Sequence, residues 1–248
     1  MLLKDIFTAL STGELEQTNL NPITEAQWPR LVMHLNLALG DLFKRFFLRE
    51  GKVVIKLIAG QTSYPLDPKY AAASRSTRVA VDDRFILDST AAPFKNDILK
   101  VERVMALTGF EMPMNDNGNV YSLIATDTAP ITLEVPADVA NQVEDLPDEM
   151  KTSQLQLIYR ARHPRLDAAA VGFDPERYNV LLPDTHLQAL LYYVASRVLA
   201  PAGLGQAEGV SSVGYWKRYE AECERLTNAG VQISQNAGFD KLRDRGFC

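Results

Sequence analysis

The hydrophobic period changes twice along this chain, and that double change constrains the fold more than any single motif. Leu31, Leu35, Leu39, Leu42 and Phe46 recur at helical spacing, the mark of a helix with one buried stripe. From Lys52 to about Arg162 short apolar or alternating runs take over: Val53 to Ile58, a second short strand after Gly60, Arg78 to Val81, Phe85 to Leu87, Ile98 to Leu107, Val120 to Ile124, Ile131 to Val135 and Leu155 to Arg160. These predict strands. After Pro183 the helical period returns, with Leu187, Leu190, Leu191, Val194 and Val198 in one stripe and Trp216, Tyr219, Cys223 and Leu226 in another. Strands enclosed by helices predict an α+β chain: a helical bundle from both ends of the chain, an inserted antiparallel β domain and an extended C-terminal arm. The expected boundaries are 1–51 for the N-terminal helices, 52–181 for the β domain and connector, 182–230 for a closing antiparallel helix pair, and 231–248 for the arm.

Local signals mark the ends of these elements. Thr24 suits an N-cap with Gln27 at the capping-box position, and Pro29 suits the first turn of a helix starting near Trp28. Gly51 is expected to close that helix. Gly60 allows the return into the second strand, which Pro65 and Pro68 end because neither donates to a ladder. Asn115 to Asn119 reads as a hairpin corner. Asp184 or Thr185 caps the helix that Pro201 stops, and a connector from Gly203 to Gly209 leads through Ser211 and Ser212 into the last helix. At the N-terminus, Lys4 and Asp5 interrupt Leu2, Leu3, Ile6, Phe7 and Leu10, which reads as a short amphipathic turn and not as a signal-peptide core.

Charge and composition narrow the function classes. With 46% hydrophobic residues the chain can bury a sizeable core. A net charge of −5 argues against a protein that grips nucleic acid over its whole surface. Cys223 and Cys248 are too few for a disulfide framework or a metal knuckle, so cytosolic folding is the simpler expectation. The most apolar window, Leu187 to Leu204, contains Gln188 and Arg197, so no membrane span is expected.

No residue pattern calls for catalysis, a metal or a cofactor. His34, His163 and His186 lack the i, i+4 spacing of a ligand pair and read as structural. Gly203, Gly205 and Gly209 follow a helix, and the third glycine comes one residue late for a dinucleotide fingerprint. Asp82 with Asp83, and Glu144, Asp145, Asp148 and Glu149, read as solvated turns, and the Asn115 loop lacks the closing Glu of a calcium loop. The aromatic residues are more telling. Trp28, Tyr192, Tyr193, Tyr215 and Trp216 exceed what three helices bury beside their Leu stripes. This makes Trp28, Tyr215 and Trp216 candidate interface residues. In the arm, Phe239, Leu242 and Phe247 are the candidate anchors, and 18 extended residues reach about 60 Å.

Several stretches also carry a family likeness: the first helix through Leu48-Arg49-Glu50, the turn Gly60-Gln61-Thr62-Ser63-Tyr64-Pro65-Leu66, and Asp97-Ile98-Leu99-Lys100-Val101-Glu102-Arg103-Val104. Leu157-Ile158-Tyr159-Arg160-Ala161-Arg162 and the helices Leu187 to Ala200 and Tyr215 to Leu226 extend it over most of the chain. In this order they resemble the phage head-to-tail adaptor (connector) family, which includes the tail tubular protein A type of T7-like podophages. The resemblance implies a non-enzymatic virion protein of the neck or tail, assembled in the host cytoplasm. It implies a twelvefold ring between the portal and a tail or nozzle protein, with the arm on the portal and DNA passing an acidic lumen without specific binding. The alternatives are another neck or tail protein, such as a head-completion or tail-terminator protein, and, third, an unrecognised enzyme.

Overall fold

The computed structural model describes residues 1–16, 18, 21–74, 78–126, 128–200 and 208–230, with 208–211 described in their backbone alone. Helices and antiparallel sheets make it an α+β protein, and it divides into two compact units. The helical unit takes Met1–Leu48 and the described residues from His163 onward; the β unit is Arg49–Arg162.

The helical unit begins with α1 (Leu3–Thr12), a full helix where the sequence suggests only a turn. Leu3, Ile6, Phe7 and Leu10 are buried together on one face, so Lys4 and Asp5 fall on the solvent side and interrupt nothing. After a 3-10 turn at Glu25–Gln27, α2 runs over Trp28–Arg45 with Pro29 in its first turn. The anticipated capping box forms: the Thr24 amide donates to Gln27 Oε1 at 2.9 Å, and the Gln27 amide is directed back to the Thr24 side chain. α2 buries Leu31, Val32, Leu35, Ala38, Leu39, Leu42 and Phe43. It ends at Arg45, with Phe46 extended, so Gly51 does not close it.

Residues 163–182, expected in part with the β domain, sit in the helical unit. Leu166, Val180 and Leu182 are buried, and Asn36 and Leu166 exchange two hydrogen bonds of 2.9 Å. The same stretch supplies acceptors to free N-terminal amides of α1: Leu3 donates to the Tyr178 carbonyl at 2.9 Å and Lys4 to that of Pro175 at 3.1 Å. His163 accepts from the Leu181 amide through Nε2 at 3.0 Å and packs edge-on against Phe43, a structural histidine.

The closing helices are α4 (Leu187–Leu199), preceded by a 3-10 turn at Asp184–His186, and α5 (Glu208–Asn228). They are antiparallel: Ser212 Oγ donates to the Ser196 carbonyl at 2.8 Å, while Tyr193 meets Trp216 and Tyr219. No side-chain cap precedes α4, whose turn follows Pro183. Gly209, Ser211 and Ser212 belong to α5 and not to a connector. Pro201 and residues 203–207 lie outside the described residues, as does the arm, 231–248.

The β unit holds a four-stranded antiparallel sheet in the order β3-β1-β7-β4 and a three-stranded sheet in the order β2-β6-β5. The strands are β1 (Glu50–Lys56), β2 (Ser63–Pro65), β3 (Ile86–Leu87), β4 (Ile98–Ala106), β5 (Ile124–Ala125), β6 (Thr132–Glu134) and β7 (Gln154–Ala161), with one helical turn, α3 (Ala137–Ala140), before β7. Gly51 is thus a strand residue. The Gly60 turn does what its sequence suggests: φ is +81° at Gly60, and the fully buried Tyr64 brings its hydroxyl back to the Ile58 amide at 2.9 Å. Tyr64 then meets Phe85 edge-on, and Tyr70 stacks on the same ring. Two strand expectations fail. Val81–Asp83 is a 3-10 turn, with Val81 73% exposed and so no buried side to alternate against. From Val120 to Ile124 only the last residue is strand, because Asp116 and Asn119 side chains accept from the Gly118 and Tyr121 amides and hold a turn.

Candidate functional site

Charged and aromatic side chains of the helical unit interlock at the seam between α2 and α5. Asp41 and Arg45 are one turn apart on α2, so both face α5. The Tyr219 hydroxyl, on a ring with no exposed surface, donates to Asp41. Arg45 Nε donates to the same carboxylate at 2.7 Å, and its two terminal nitrogens reach Glu220 at 2.8 Å each. The guanidinium carbon also lies 5.2 Å from the centre of the Tyr219 ring.

Burial, and then the bond to Asp41, pushes the Tyr219 phenol far up; burial also pushes the Cys223 thiol up, and Glu220 holds Arg45 charged. A protonated thiol and phenol offer no nucleophile at neutral pH. The seam is a clamp.

Beside it, Trp216 is 36% exposed, with its ring 5.8 Å from Tyr193 and 5.3 Å from Tyr219. Arg197 covers both Trp216 (5.7 Å) and Tyr193 (5.3 Å). Trp216, Lys217, Glu220 and Glu224 line an open groove with Arg45 and Phe46. Tyr215, the preceding residue, points elsewhere: its hydroxyl donates to the Glu14 carbonyl at 3.3 Å, and its ring lies 6.1 Å from Tyr192.

Trp28 belongs to a third place. Half-buried, it packs edge-on against Phe173 at 5.6 Å and lines a hollow with Phe7, Pro22, Ile23 and Pro175. The three described interface candidates therefore do not form one patch, and the contacts of Tyr215 are those of a packing residue. Phe239, Leu242 and Phe247 lie outside the described residues.

The remaining candidates take structural places. His186 is fully buried, edge-on to Phe46 at 4.8 Å; burial lowers the pKa of both His186 and His34. Glu144, Asp145, Asp148 and Glu149 are exposed, and Asp148 pairs with Lys151 at 2.9 Å. Among the described residues no group of three or more His, Cys, Asp or Glu side chains is placed to hold a metal ion, and no helix is long and apolar enough to cross a membrane. Sequence reasoning missed Met33 and Leu37, 53% and 50% exposed on α2. Their signal was present, since both fall off the Leu31, Leu35, Leu39 stripe.

A helical unit assembled from both flanks of an inserted β unit, with apolar and aromatic side chains left at its surface, has the chemistry of a protein that makes contacts. The chain matches the SU10 adaptor protein family over residues 2–238 and belongs to that family of phage adaptor proteins, structural components of the virion. A comparison with curated proteins found no match. The family match does not reach the narrower likeness to tail tubular protein A.

Proposed function

We propose that this chain is the head-to-tail adaptor of a phage virion, a ring of identical copies that joins the portal to the tail or nozzle and encloses part of the DNA channel. The observation that carries this reading is membership of an adaptor family over nearly the whole chain. It is supported by surface groups suited to contact: Trp216 at the α2–α5 groove and Met33 and Leu37 on α2. The role is mechanical and electrostatic, not enzymatic. A net charge of −5 suits a lumen along which phosphate slides without sticking. In this reading the ring is twelvefold, forms in the host cytoplasm, and attaches to the portal through Phe239, Leu242 and Phe247.

Native mass spectrometry of the full chain, alone and with the portal protein of the same phage, tests the reading. The expected result is a closed ring whose yield rises when portal is added. A chain that stays monomeric and ignores portal at every concentration overturns it.

A further inference from the structure

Alternation sends Val53, Ile55, Val104, Leu155 and Leu157 of the four-stranded sheet into the core, so the residues between them form the sheet's other face. The register fixes which side chains share it. Lys52 and Arg103 lie opposite Ile158, Glu50 and Lys100 opposite Arg160, and Lys56 opposite Gln154. Glu102, at the register shift between Val101 and Arg103, reaches Arg160 at 2.8 Å. Five cations thus share this face with two carboxylates, in a chain whose net charge is negative. Lys52, Lys56 and Lys100 are exposed, and between them runs a row of Leu87, Val54, Gln156 and Met105.

The opposite sign gathers elsewhere on the same unit. Between α3 and β7, Glu144, Asp145, Asp148 and Glu149 are all exposed, with Lys151 on Asp148. This ridge is anchored through Val139, Leu146 and Met150 to the core of the β unit. The cationic face and the acidic ridge are separate stretches of one unit, and the ridge's Asp148 is paired with its own Lys151.

We propose that the outer face of the four-stranded sheet docks on the acidic ridge of a second copy of this chain. The proposal rests on the ring reading and names a contact within it. Two different patches that complement each other pair head to tail, the type of interface that closes into a ring. Nucleic acid fits this face less well, because Lys52 is paired with Glu50, Arg160 is paired with Glu102, and the apolar Leu87, Val54 and Met105 offer a phosphate nothing.

The test uses the full chain and its charge-reversed variants, read by native mass spectrometry and sedimentation velocity at matched concentration. Lys56→Glu with Lys100→Glu is expected to weaken assembly at least about tenfold, since it sets acid against acid; Glu144→Lys with Asp145→Lys and Glu149→Lys is expected to do the same with base against base. Mixed one to one, the two variants are expected to recover assembly, because each supplies the surface the other has lost. Raising ionic strength from about 0.1 M to 1 M shortens the screening length from about 10 Å to 3 Å and is expected to weaken the wild-type assembly. Melting curves of each variant alone check folding, and Lys56→Gln with Lys100→Gln gives a milder second variant. Wild-type assembly that both reversals leave unchanged, or that the mixture fails to restore, overturns this contact while the ring reading stands. A wild-type chain that does not assemble even with portal removes both. Retained assembly with loss of binding to a short DNA duplex places nucleic acid on the face and overturns the proposal.

Discussion

Gly51 lies directly opposite Tyr159 across the β1–β7 ladder, and the tyrosine ring occupies the space that a side chain on Gly51 would need. A Cβ there would overlap ring atoms Cε2 and Cζ and come within 2.7 Å of the hydroxyl. The ring is held in place from its far end: the hydroxyl donates to Asp97 at 2.9 Å, and Arg49 meets the same carboxylate at 3.2 Å. Gly51→Ala is therefore expected to destabilise the β unit by about 1–3 kcal/mol, the cost of overpacking. Trimming the ring with Tyr159→Val in the Gly51→Ala background is expected to give a smaller total loss than the two single changes summed. Hydrogen exchange at the β1 and β7 amides reads this unit without assuming that the whole chain unfolds in one step.

What could be read in the sequence follows from how local its cause is. The α2 stripe and the β1, β4 and β7 runs were legible because each carries its own period, and Tyr64 because its turn and its bond to Ile58 are six residues apart. Gly51 misled because a glycine after a helical stripe usually ends it, whereas its cause here is a ring in a distant strand. The Asn36 to Leu166 pairing that draws residues 163–182 to the helices is equally non-local. The spacing of Leu3, Ile6, Phe7 and Leu10 did carry the α1 signal; two charged neighbours obscured it. For the interface candidates the limit was different. Adjacent positions such as Tyr215 and Trp216 point about 100° apart on a helix, and which one is exposed depends on neighbours that the sequence does not identify.

The α2–α5 clamp is expected to respond asymmetrically to deletion of its two partners. Tyr219→Phe removes a donor and leaves Asp41, which is partly exposed, still bonded to Arg45; the expected cost is about 1 kcal/mol. Asp41→Ala leaves the buried Tyr219 hydroxyl without its carboxylate and frees Arg45 from one of two acids, so about 2–3 kcal/mol is expected. Urea midpoints of the helical signal decide the order. If Tyr219→Phe costs more than Asp41→Ala, the carboxylate is not what satisfies that hydroxyl.

Acid is expected to weaken the helical unit before carboxylates titrate. Burial lowers the folded-state pKa of His186 and His34 below the ordinary 6.5, with Glu222 opposing it at His186 and Arg30 and Arg197 reinforcing it at His34. The unfolded chain then binds protons that the folded chain refuses. Stability is complete above about pH 6.5 and falls as pH drops from there towards the folded values, by at most about 1.4 kcal/mol per pH unit for each proton. Melting temperatures at pH 7.5, 6.0 and 5.0 are expected to show this slope, reduced in His186→Gln. An unchanged slope in that variant would assign it to other groups.

Removal of residues 231–248 is expected to separate attachment from folding. At the end of α5 the Ala229 amide donates to the Arg225 carbonyl at 2.9 Å and the Gly230 amide to that of Thr227 at 3.1 Å. Gly230 takes φ of +65°, the left-handed geometry that turns a chain off a helix. A chain ending at Gly230 therefore keeps its terminal carbonyl bonds, and its melting temperature is expected to stay within about 2–4 °C of the full chain, the shift that roughly 1 kcal/mol produces at this size. Portal attachment is expected to fall sharply, because Phe239, Leu242 and Phe247 contribute about 1.5–3 kcal/mol each when fully buried in an interface. Phe239→Ala and Phe247→Ala are expected to reproduce part of that loss. Pull-down on immobilised portal measures attachment and calorimetry measures folding, so the two outcomes separate. Truncation that melts the protein while the single changes leave attachment intact would return these side chains to the fold of their own subunit.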